Sequence, residues 1–307
     1  MRVLAALIAS LTLPAGGVQW WSVTAVGRSL LVTGSPPTGA LCEYFVVDTA
    51  TLKGRGPYRR SCYKPPVSTH RLAPVVLNSR TSPYDPVTVA GKVVMRYRDG
   101  SDTRPQSATY GRSLWLYDVA TSEGPEVLRF DARTGALLQR TVMPRLFRPV
   151  MVANGDGLWL DPAPNGGVDG VFVAPVLHVA FGASKPVVVH RGGRAAMWMT
   201  ASAHTVWFEQ IAGRSSVSIW RIDRTTVRLL ARPRAISFQG VYSNGRLWTL
   251  TCGKKEHLLR VDPDSGMSTL VGQFSRNVNV KYCDASMAVA GDNAFVLEGQ
   301  ELYIYGS

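Results

Sequence analysis

The sequence predicts an all-β protein, a β-propeller of about seven four-stranded sheets, with six or eight sheets as the alternatives. Two repeated features of the 307 residues lead to this prediction. The first is a short motif that recurs at the spacing of propeller blades. The second is an aspartate that follows the motif at a nearly constant distance. Both features lie beside turn residues, as short strands joined by tight turns require.

The first repeat is a small polar turn followed by an apolar triplet whose centre is usually aromatic. Its copies are GRSLLV (27–32), GRSLWL (111–116), GDGLWL (155–160), HTVWF (204–208), NGRLWT (244–249) and GDNAFV (291–296). From Leu31 to Phe295 the central residues are separated by 84, 44, 48, 41 and 47 residues. Because 84 is about twice the other steps, a degenerate copy is expected after the first, which gives seven units. The central aromatic residues are predicted to pack between sheets.

The second repeat is an apolar strand that ends in aspartate before a turn. Its copies end at Asp48, Asp131, Asp223 and Asp262, which lie 17, 16, 16 and 14 residues after the central residue of the preceding motif. After Asp131 and Asp262 the chain reads as a turn capped by the aspartate side chain, with a glycine at positive φ. A further strand is expected beyond each turn.

Two units depart from this pattern. The second, about residues 66–106, lacks the triplet, and Pro83–Pro86 is interpreted as an inserted turn before one strand over Val87–Arg98. The fourth carries an inserted loop over Asp161–Gly170, rich in Pro, Gly and Asn. Insertions at one rim of a propeller are places where binding sites form.

A GxLWV strand followed by an xxRID hairpin resembles the YVTN, PQQ-type and streptogramin-lyase-like propeller repeats. The resemblance covers nearly the whole chain, which is also similar to uncharacterised secreted actinobacterial propellers. These repeats occur in enzymes, periplasmic scaffolds and surface proteins, so the resemblance implies a fold and no particular activity.

A single domain is predicted over residues 1–307, and its first 17 residues have two interpretations. Residues 7–13 match an outer strand by position and would complete the last sheet, pairing with 301–305 and closing the ring. Alternatively, Arg2, the apolar run 3–13 and the small residues 14–17 form a secretory signal peptide. No window of the chain is long and apolar enough for a transmembrane helix.

The four cysteines lack the CxxC spacing of zinc or redox motifs. Cys42, placed before the strand 44–47, and Cys62 fall on neighbouring predicted strands, which suggests one disulfide; Cys252 and Cys283 could form a second between adjacent sheets. Two disulfides would indicate an extracytoplasmic, secreted or cell-surface protein. Four reduced cysteines, and with them a cytoplasmic scaffold, are the alternative.

The net charge of +13 favours anionic partners. Arginines are scattered without a continuous basic stripe, so long nucleic acid is not expected as a partner. The cations Arg148, Arg194 and Lys281 each precede a predicted innermost strand, where they would make the channel mouth basic. The aromatic residues Trp198 and Tyr282 lie outside the repeated column and are further ligand candidates.

No catalytic or metal-binding motif is present, and neither a metal nor a cofactor is predicted. The segment 206–210, VWFEQ, resembles one blade of a streptogramin lyase, with Glu209 expected in a loop. The leading hypothesis is a non-catalytic, monomeric propeller that binds a small anionic ligand, an envelope polymer or a protein at one rim of its channel. A lyase or hydrolase with acid–base residues at the channel mouth is the alternative.

Overall fold

A computed structural model of the chain describes most of its residues. The described residues are 6–14, 17–35, 41–61, 75–76, 84–98, 106–118, 124–144, 146, 149–161, 175–191, 196–211, 217–224, 226–233, 235–252, 255–275 and 285–306. They fall into two compact units, 1–69 with 233–307, and 70–232. The prediction of a single domain over the whole chain stays a prediction. Among the described residues, no helix is long and apolar enough to cross a membrane.

All regular structure in the described residues is β-strand. The first nine strands are β1 (Ala6–Thr12), β2 (Gln19–Val26), β3 (Ser29–Ser35), β4 (Leu41–Asp48), β5 (Gly54–Ser61), β6 (Val75–Val76), β7 (Tyr84–Val89), β8 (Lys92–Arg98) and β9 (Gln106–Tyr110). The next nine are β10 (Ser113–Asp118), β11 (Glu126–Asp131), β12 (Leu137–Val142), β13 (Val150–Asn154), β14 (Gly157–Asp161), β15 (Val176–Ala180), β16 (Val187–His190), β17 (Ala196–Ala201) and β18 (Thr205–Ile211). The last nine are β19 (Val217–Asp223), β20 (Thr226–Ala231), β21 (Ile236–Ser243), β22 (Arg246–Cys252), β23 (Lys255–Val261), β24 (Ser268–Ser275), β25 (Ser286–Ala290), β26 (Asn293–Glu298) and β27 (Glu301–Gly306).

These strands form seven antiparallel sheets, numbered here in chain order. Sheet one is β2–β5, sheet two β6–β8, sheet three β9–β12, sheet four β13–β16, sheet five β17–β20, sheet six β21–β24, and sheet seven β25–β27 with β1. Six of the sheets have four strands, and sheet two has three in the described residues. Sheets one, six and seven belong to the first unit and sheets two to five to the second.

The predicted closing strand is confirmed. β1 pairs antiparallel with β27, with Leu7 opposite Tyr305 and Thr12 opposite Glu301. The backbone N–H of Leu13 then donates to the carbonyl of Gln300 at 2.8 Å. The first strand of the chain therefore supplies the fourth strand of its last sheet.

The aromatic column packs as predicted. The described side chains of Trp115, Trp159, Trp207, Trp248 and Phe295 are at most 2% exposed. Trp115 of sheet three packs with Leu158 and Leu160 of sheet four, and Trp159 of sheet four packs with Phe208 of sheet five. In the first unit, Trp248 of sheet six packs with Val296 of sheet seven. Within each unit, the repeated triplets thus form the core between neighbouring sheets.

The predicted aspartate-capped turns are also present. The Oδ1 of Asp131 accepts hydrogen bonds from the backbone N–H groups of Arg133 and Thr134, both at 2.9 Å. Gly135 follows with φ of 68° and closes the turn through its N–H to the carbonyl of Asp131. In the equivalent turn after Asp48, this left-handed position is filled by Leu52, with φ of 56°.

The structure corrects the interpretation of the second unit. The segment 87–98 is not one strand, because the chain turns at Ala90 and Gly91, which both have positive φ. Residues 84–86 are not an inserted turn, because they begin β7. β6 lies where the degenerate copy of the motif was expected, and its described residues are Val75 and Val76. The predicted loop 162–170 lies outside the described residues.

Candidate functional site

Each sheet has two different edges. The turn edge is where the first strand passes to the second and the third to the fourth, through connections of two to six residues. The loop edge is where the second strand passes to the third and where the chain enters the next sheet. In four-stranded sheets its connections reach 14 residues, between Asp161 and Val176. Long connections held by a rigid scaffold are the usual place for binding residues.

Buried carboxylates lie at the loop edge. The described residues contain five carboxylates that are at most 7% exposed: Asp118, Glu126, Asp161, Glu209 and Glu256. Asp118 and Asp161 end a second strand, and Glu209 lies two residues before the end of one. Glu126 and Glu256 are the first and second residues of third strands. By contrast, the turn aspartates, such as Asp131 and Asp262, are at least partly exposed. Burying a carboxylate is costly unless it is hydrogen-bonded, so these groups need partners inside the protein.

Several of these partners are known. Glu126 forms an ion pair with Arg140, with Oε2 2.9 Å from Nη1. Glu256 accepts the backbone N–H of Ala285 through Oε2 at 3.2 Å. Asp118 and Glu209 also have partners. The buried carboxylates are therefore engaged inside the fold, and two of them hold backbone or side chains near the ends of strands.

Side chains of one sheet accept or hold backbone N–H groups of the first strand in the neighbouring sheet. Besides Ala285, the N–H of Met287 donates to Oε1 of Gln239 in sheet six, and the N–H of Val23 donates to the hydroxyl of Ser286 at 3.2 Å. These contacts join sheets six, seven and one within the first unit. Side chains of one sheet thus satisfy backbone groups of the next, at the start of β25 and in the middle of β2.

Asp161 is the most perturbed of the buried carboxyls. It ends β14 and is 0% exposed. Its Oδ2 accepts a hydrogen bond from Nε2 of Gln210 in sheet five at 2.9 Å, and the side chain also accepts the N–H of Ala196. Burial outweighs both hydrogen bonds and raises the pKa of Asp161 to about 7. Within the described residues, Oδ1 of Asp161 and Oε1 of Gln210 have no hydrogen-bond partner.

Histidine and glutamate do not converge at this edge. The prediction that Glu209 lies in a loop is wrong: it is 0% exposed within β18, opposite Trp198 and Ile219. His204 precedes the same strand by one residue, so the two side chains start about 16 Å apart along it. His204 instead places Nδ1 3.0 Å from Oδ1 of Asp156 at the turn edge. The described residues contain no group of three His, Cys, Asp or Glu side chains suited to a metal ion.

The predicted ligand residues are only partly described. Arg148, Arg194, Lys281 and Tyr282 lie outside the described residues. The strands predicted to follow the three cations are present as β13, β17 and β25, and each begins at the loop edge. Trp198 lies on β17 with its side chain 5% exposed. A ligand-binding role for these five residues stays a prediction.

Of the four cysteines, the structure describes the side chain of Cys42 and only the backbone of Cys252. Cys42 is disulfide-bonded and lies within β4 rather than before a strand, with its side chain 4% exposed. Its register partner is Arg60, two residues before Cys62 in the sequence. Cys252 ends β22, and Cys62 and Cys283 lie outside the described residues. The pairings Cys42–Cys62 and Cys252–Cys283 therefore stay predictions.

Sequence reasoning missed the Asp161–Gln210 pair. The two residues are far apart in the sequence and meet only because sheets four and five pack against each other. One signal was available: an aspartate, Asp118 or Asp161, follows within two residues of the apolar triplet in LWLYD and LWLD. A charged residue that ends an otherwise buried strand marks a carboxyl in need of a partner.

Known proteins resemble this chain in structure only. No protein-family model and no curated protein sequence matches it. The β-propeller domain of the trilobed protease from Pyrococcus furiosus is similar, with a TM-score of 0.63 and 9% identity over 93% of this chain and 97% of the other. The RRP9 WD40 repeats give a TM-score of 0.60 and 10% identity over 99% of both chains. An uncharacterized Listeria monocytogenes EGD-e protein, lmo1340, gives 0.57 and 9%, over 96% and 92%. With its seven antiparallel sheets, the chain has the predicted all-β propeller fold.

Proposed function

We propose that this propeller is a non-catalytic binding module that holds its ligand or protein partner at the loop edge of its sheets. The observation that carries the proposal is the difference between the two edges. The turn edge consists of short connections, whereas the loop edge combines the longest connections with every buried carboxylate of the described residues. Long segments anchored at their bases by buried polar contacts provide a defined surface for a partner.

An anionic ligand is the class that the charges favour. Arg148, Arg194 and Lys281 belong to the connections that lead into the first strands of sheets four, five and seven. The buried carboxylates nearby have partners inside the fold, such as Arg140 for Glu126, which limits their attraction for a ligand cation. A net charge of +13 adds a long-range attraction for anions. A small anion, an envelope polymer or an acidic protein surface would all present this charge.

The test is a charge-removal variant with a matched control. Arg148, Arg194 and Lys281 are all replaced by Ala, and binding of inositol hexakisphosphate is measured by calorimetry at two salt concentrations. The control replaces Arg133, Lys185 and Arg224, three exposed cations of turn-edge connections, by Ala. Both variants lose three charges, so only the position of the charges differs.

We expect the loop-edge variant to bind at least tenfold more weakly and the control variant to lose less than about twofold, mostly through long-range attraction. Equal losses in both variants would mean that net charge alone attracts the anion. An unchanged affinity in the loop-edge variant would remove these three residues from the site. Tighter binding of duplex DNA than of the compact anion would contradict the choice of ligand class.

We also propose an extracytoplasmic location, supported by the disulfide at Cys42. Its test is a count of thiols in the protein isolated from its natural host under alkylating conditions. No reactive thiol before reduction and four after it would support the proposal. Four alkylated cysteines before reduction would place the protein in a reducing compartment.

A further inference from the structure

A buried carboxyl and a buried carboxamide meet where sheets four and five pack together. The carboxyl of Asp161 and the carboxamide of Gln210 share one hydrogen bond, from Nε2 to Oδ2, at 2.9 Å. Both side chains are almost fully buried, at 0% and 1% exposed. Each group retains one oxygen without a hydrogen-bond partner among the described residues, Oδ1 in Asp161 and Oε1 in Gln210. Two oxygens cannot satisfy each other unless one of them carries a proton.

A single proton would complete this contact. A protonated carboxyl has one O–H donor, and a primary carboxamide has both N–H donors and a carbonyl acceptor. With the proton on Oδ1, Asp161 can donate to Oε1 of Gln210 while it accepts from Nε2, which forms a cyclic pair of two hydrogen bonds. Without the proton, a buried negative charge lies beside an unpaired amide oxygen, and both raise the free energy of the folded state.

We infer that Asp161 and Gln210 form a carboxylic acid–carboxamide latch between sheets four and five, closed when Asp161 is protonated and weakened when it ionises. Loss of the proton removes one of the two hydrogen bonds and leaves an uncompensated charge in the core. The latch also touches the base of the next strand, because Asp161 accepts the backbone N–H of Ala196. Ionisation therefore weakens the contacts of the end of β14 with the start of β17 and with the end of β18.

Among the described residues, no charged group contributes to the pKa of Asp161. Hydrogen bonds from Gln210 and Ala196 lower its pKa, but burial outweighs them and raises it to about 7. β13 and β17 carry no titratable side chain. The titratable side chains on the other strands of sheets four and five are His178 on β15, His190 on β16, Glu209 on β18, and Arg221, Asp223 and Arg228 on β19 and β20. None of them contributes to the shift, and Glu209 points to the opposite face from its neighbour Gln210.

The sign of the pH effect follows from linkage. The pKa of Asp161 is raised in the folded chain above its ordinary value of 3.8, so the folded state keeps the proton over a range in which the unfolded state has lost it. The stabilisation is fully present below about pH 4 and is lost as the pH rises to about 7. Over the full range, a shift of this size corresponds to a roughly thousandfold fall in the folding equilibrium constant.

The experiment compares wild type with Asp161→Asn by urea unfolding of the full chain between pH 4.5 and 8.5. An asparagine keeps the shape of the neutral acid, and its NH₂ group can donate to Gln210 at every pH. We expect the ratio of the wild-type to the variant folding constant to fall roughly hundred- to thousandfold over this range. Asp118→Asn is the control, because Asp118 ends β10 as Asp161 ends β14 but has other partners. It should leave this pH dependence in place.

A second measurement does not depend on the variant. Wild-type protein labelled with ¹³C at the aspartate carboxyl should show the infrared C=O stretch of one protonated aspartate at pH 6, with a midpoint near 7. Absence of this band, or a pH dependence that is the same in wild type and Asp161→Asn, would overturn the inference. Loss of the pH dependence in Asp118→Asn as well would also overturn it, because the effect would then not be specific to the latch.

Discussion

Trp115, Trp159 and Trp248 occupy equivalent positions in sheets three, four and six, and each is 0% exposed. They differ in one hydrogen bond. The indole N–H of Trp159 donates to Oδ1 of Asn154 at 3.1 Å, whereas those of Trp115 and Trp248 have no partner among the described residues. Replacing each tryptophan by phenylalanine therefore removes a similar volume from the core but changes the hydrogen bonding in opposite directions.

The magnitudes follow from these contacts. All three replacements leave a small cavity, and since Phe295 occupies the same position in sheet seven, the column tolerates phenylalanine. At Trp159 the change also removes a hydrogen bond to Asn154, a fully buried side chain, at a cost of about 1 kcal/mol. At Trp115 and Trp248 it removes a buried donor without a partner, which offsets part of the cavity cost by about 1 kcal/mol or more.

We expect Trp159→Phe to lower the free energy of unfolding by about 2 kcal/mol more than either other variant, measured by urea denaturation. In thermal unfolding of a chain of this length, this difference is about 3 °C. Trp248→Phe is the cleaner comparison, because Trp115 also contacts the guanidinium of Arg129, 5.6 Å from its ring centre. If all three variants lose the same stability, or if Trp159→Phe loses the least, the hydrogen-bond argument is wrong.

Three further predictions concern the turns and the disulfide. Gly135→Ala should lower the free energy of unfolding by about 1–3 kcal/mol in chemical denaturation, because Gly135 has φ of 68° and an added Cβ would lie 2.8 Å from the carbonyl oxygen of Val89. Gly182→Ala is the control and should cost less, because Gly182 has a similar φ of 76° but open space around an added Cβ. Non-reducing peptide mapping should find Cys42 linked to Cys62, and Cys42→Ser should cost about 2–4 kcal/mol; a link from Cys42 to another cysteine would contradict the pairing. The pKa of Asp262 is lowered chiefly by the N–H of Ser265, so the Asp262→Asn variant should lose less stability than wild type as the pH falls from 5 to 3. The difference should be about 0.5 kcal/mol or less, because this group is exposed. The same loss of stability in both proteins between pH 5 and 3 would contradict this prediction.

The repeated parts of the fold were predictable because their causes are local. The triplets that end near Trp115 and Trp248 alternate with turn residues within a few positions, and an aspartate that caps its own turn needs only the next three residues. The strands of sheet two were not predicted correctly, because this sheet lacks these local signals. Its turn at Ala90 and Gly91 lacks a polar residue, and Val75 and Val76 of β6 do not include the aromatic residue that marks the motif in most other sheets.

The candidate site depends on contacts that no local pattern contains. Whether Glu209 lies in a loop or a strand was decided by the pairing of β18 with β17 and β19, which extends through this residue on both sides. The partner of Asp161 was decided by the register of two separate sheets. A sequence without an alignment shows that a polar residue ends a buried strand, but it does not show which residue of the next sheet faces it.

The two edges of the sheets place aspartates in environments with opposite consequences for stability. At the turn edge, Asp131 and Asp262 accept backbone N–H groups in water, so their pKa values are lowered and they stabilise the fold when ionised. At the loop edge, Asp161 is buried away from water, which raises its pKa, and it stabilises the fold when it is neutral. The first contribution is lost as the pH falls below about 4, and the second is lost as it rises toward 7. The contribution of Asp161 already declines from about pH 4 upward, so the stability that these aspartates provide together should be greatest near pH 4, and in Asp161→Asn the decline toward pH 7 should disappear.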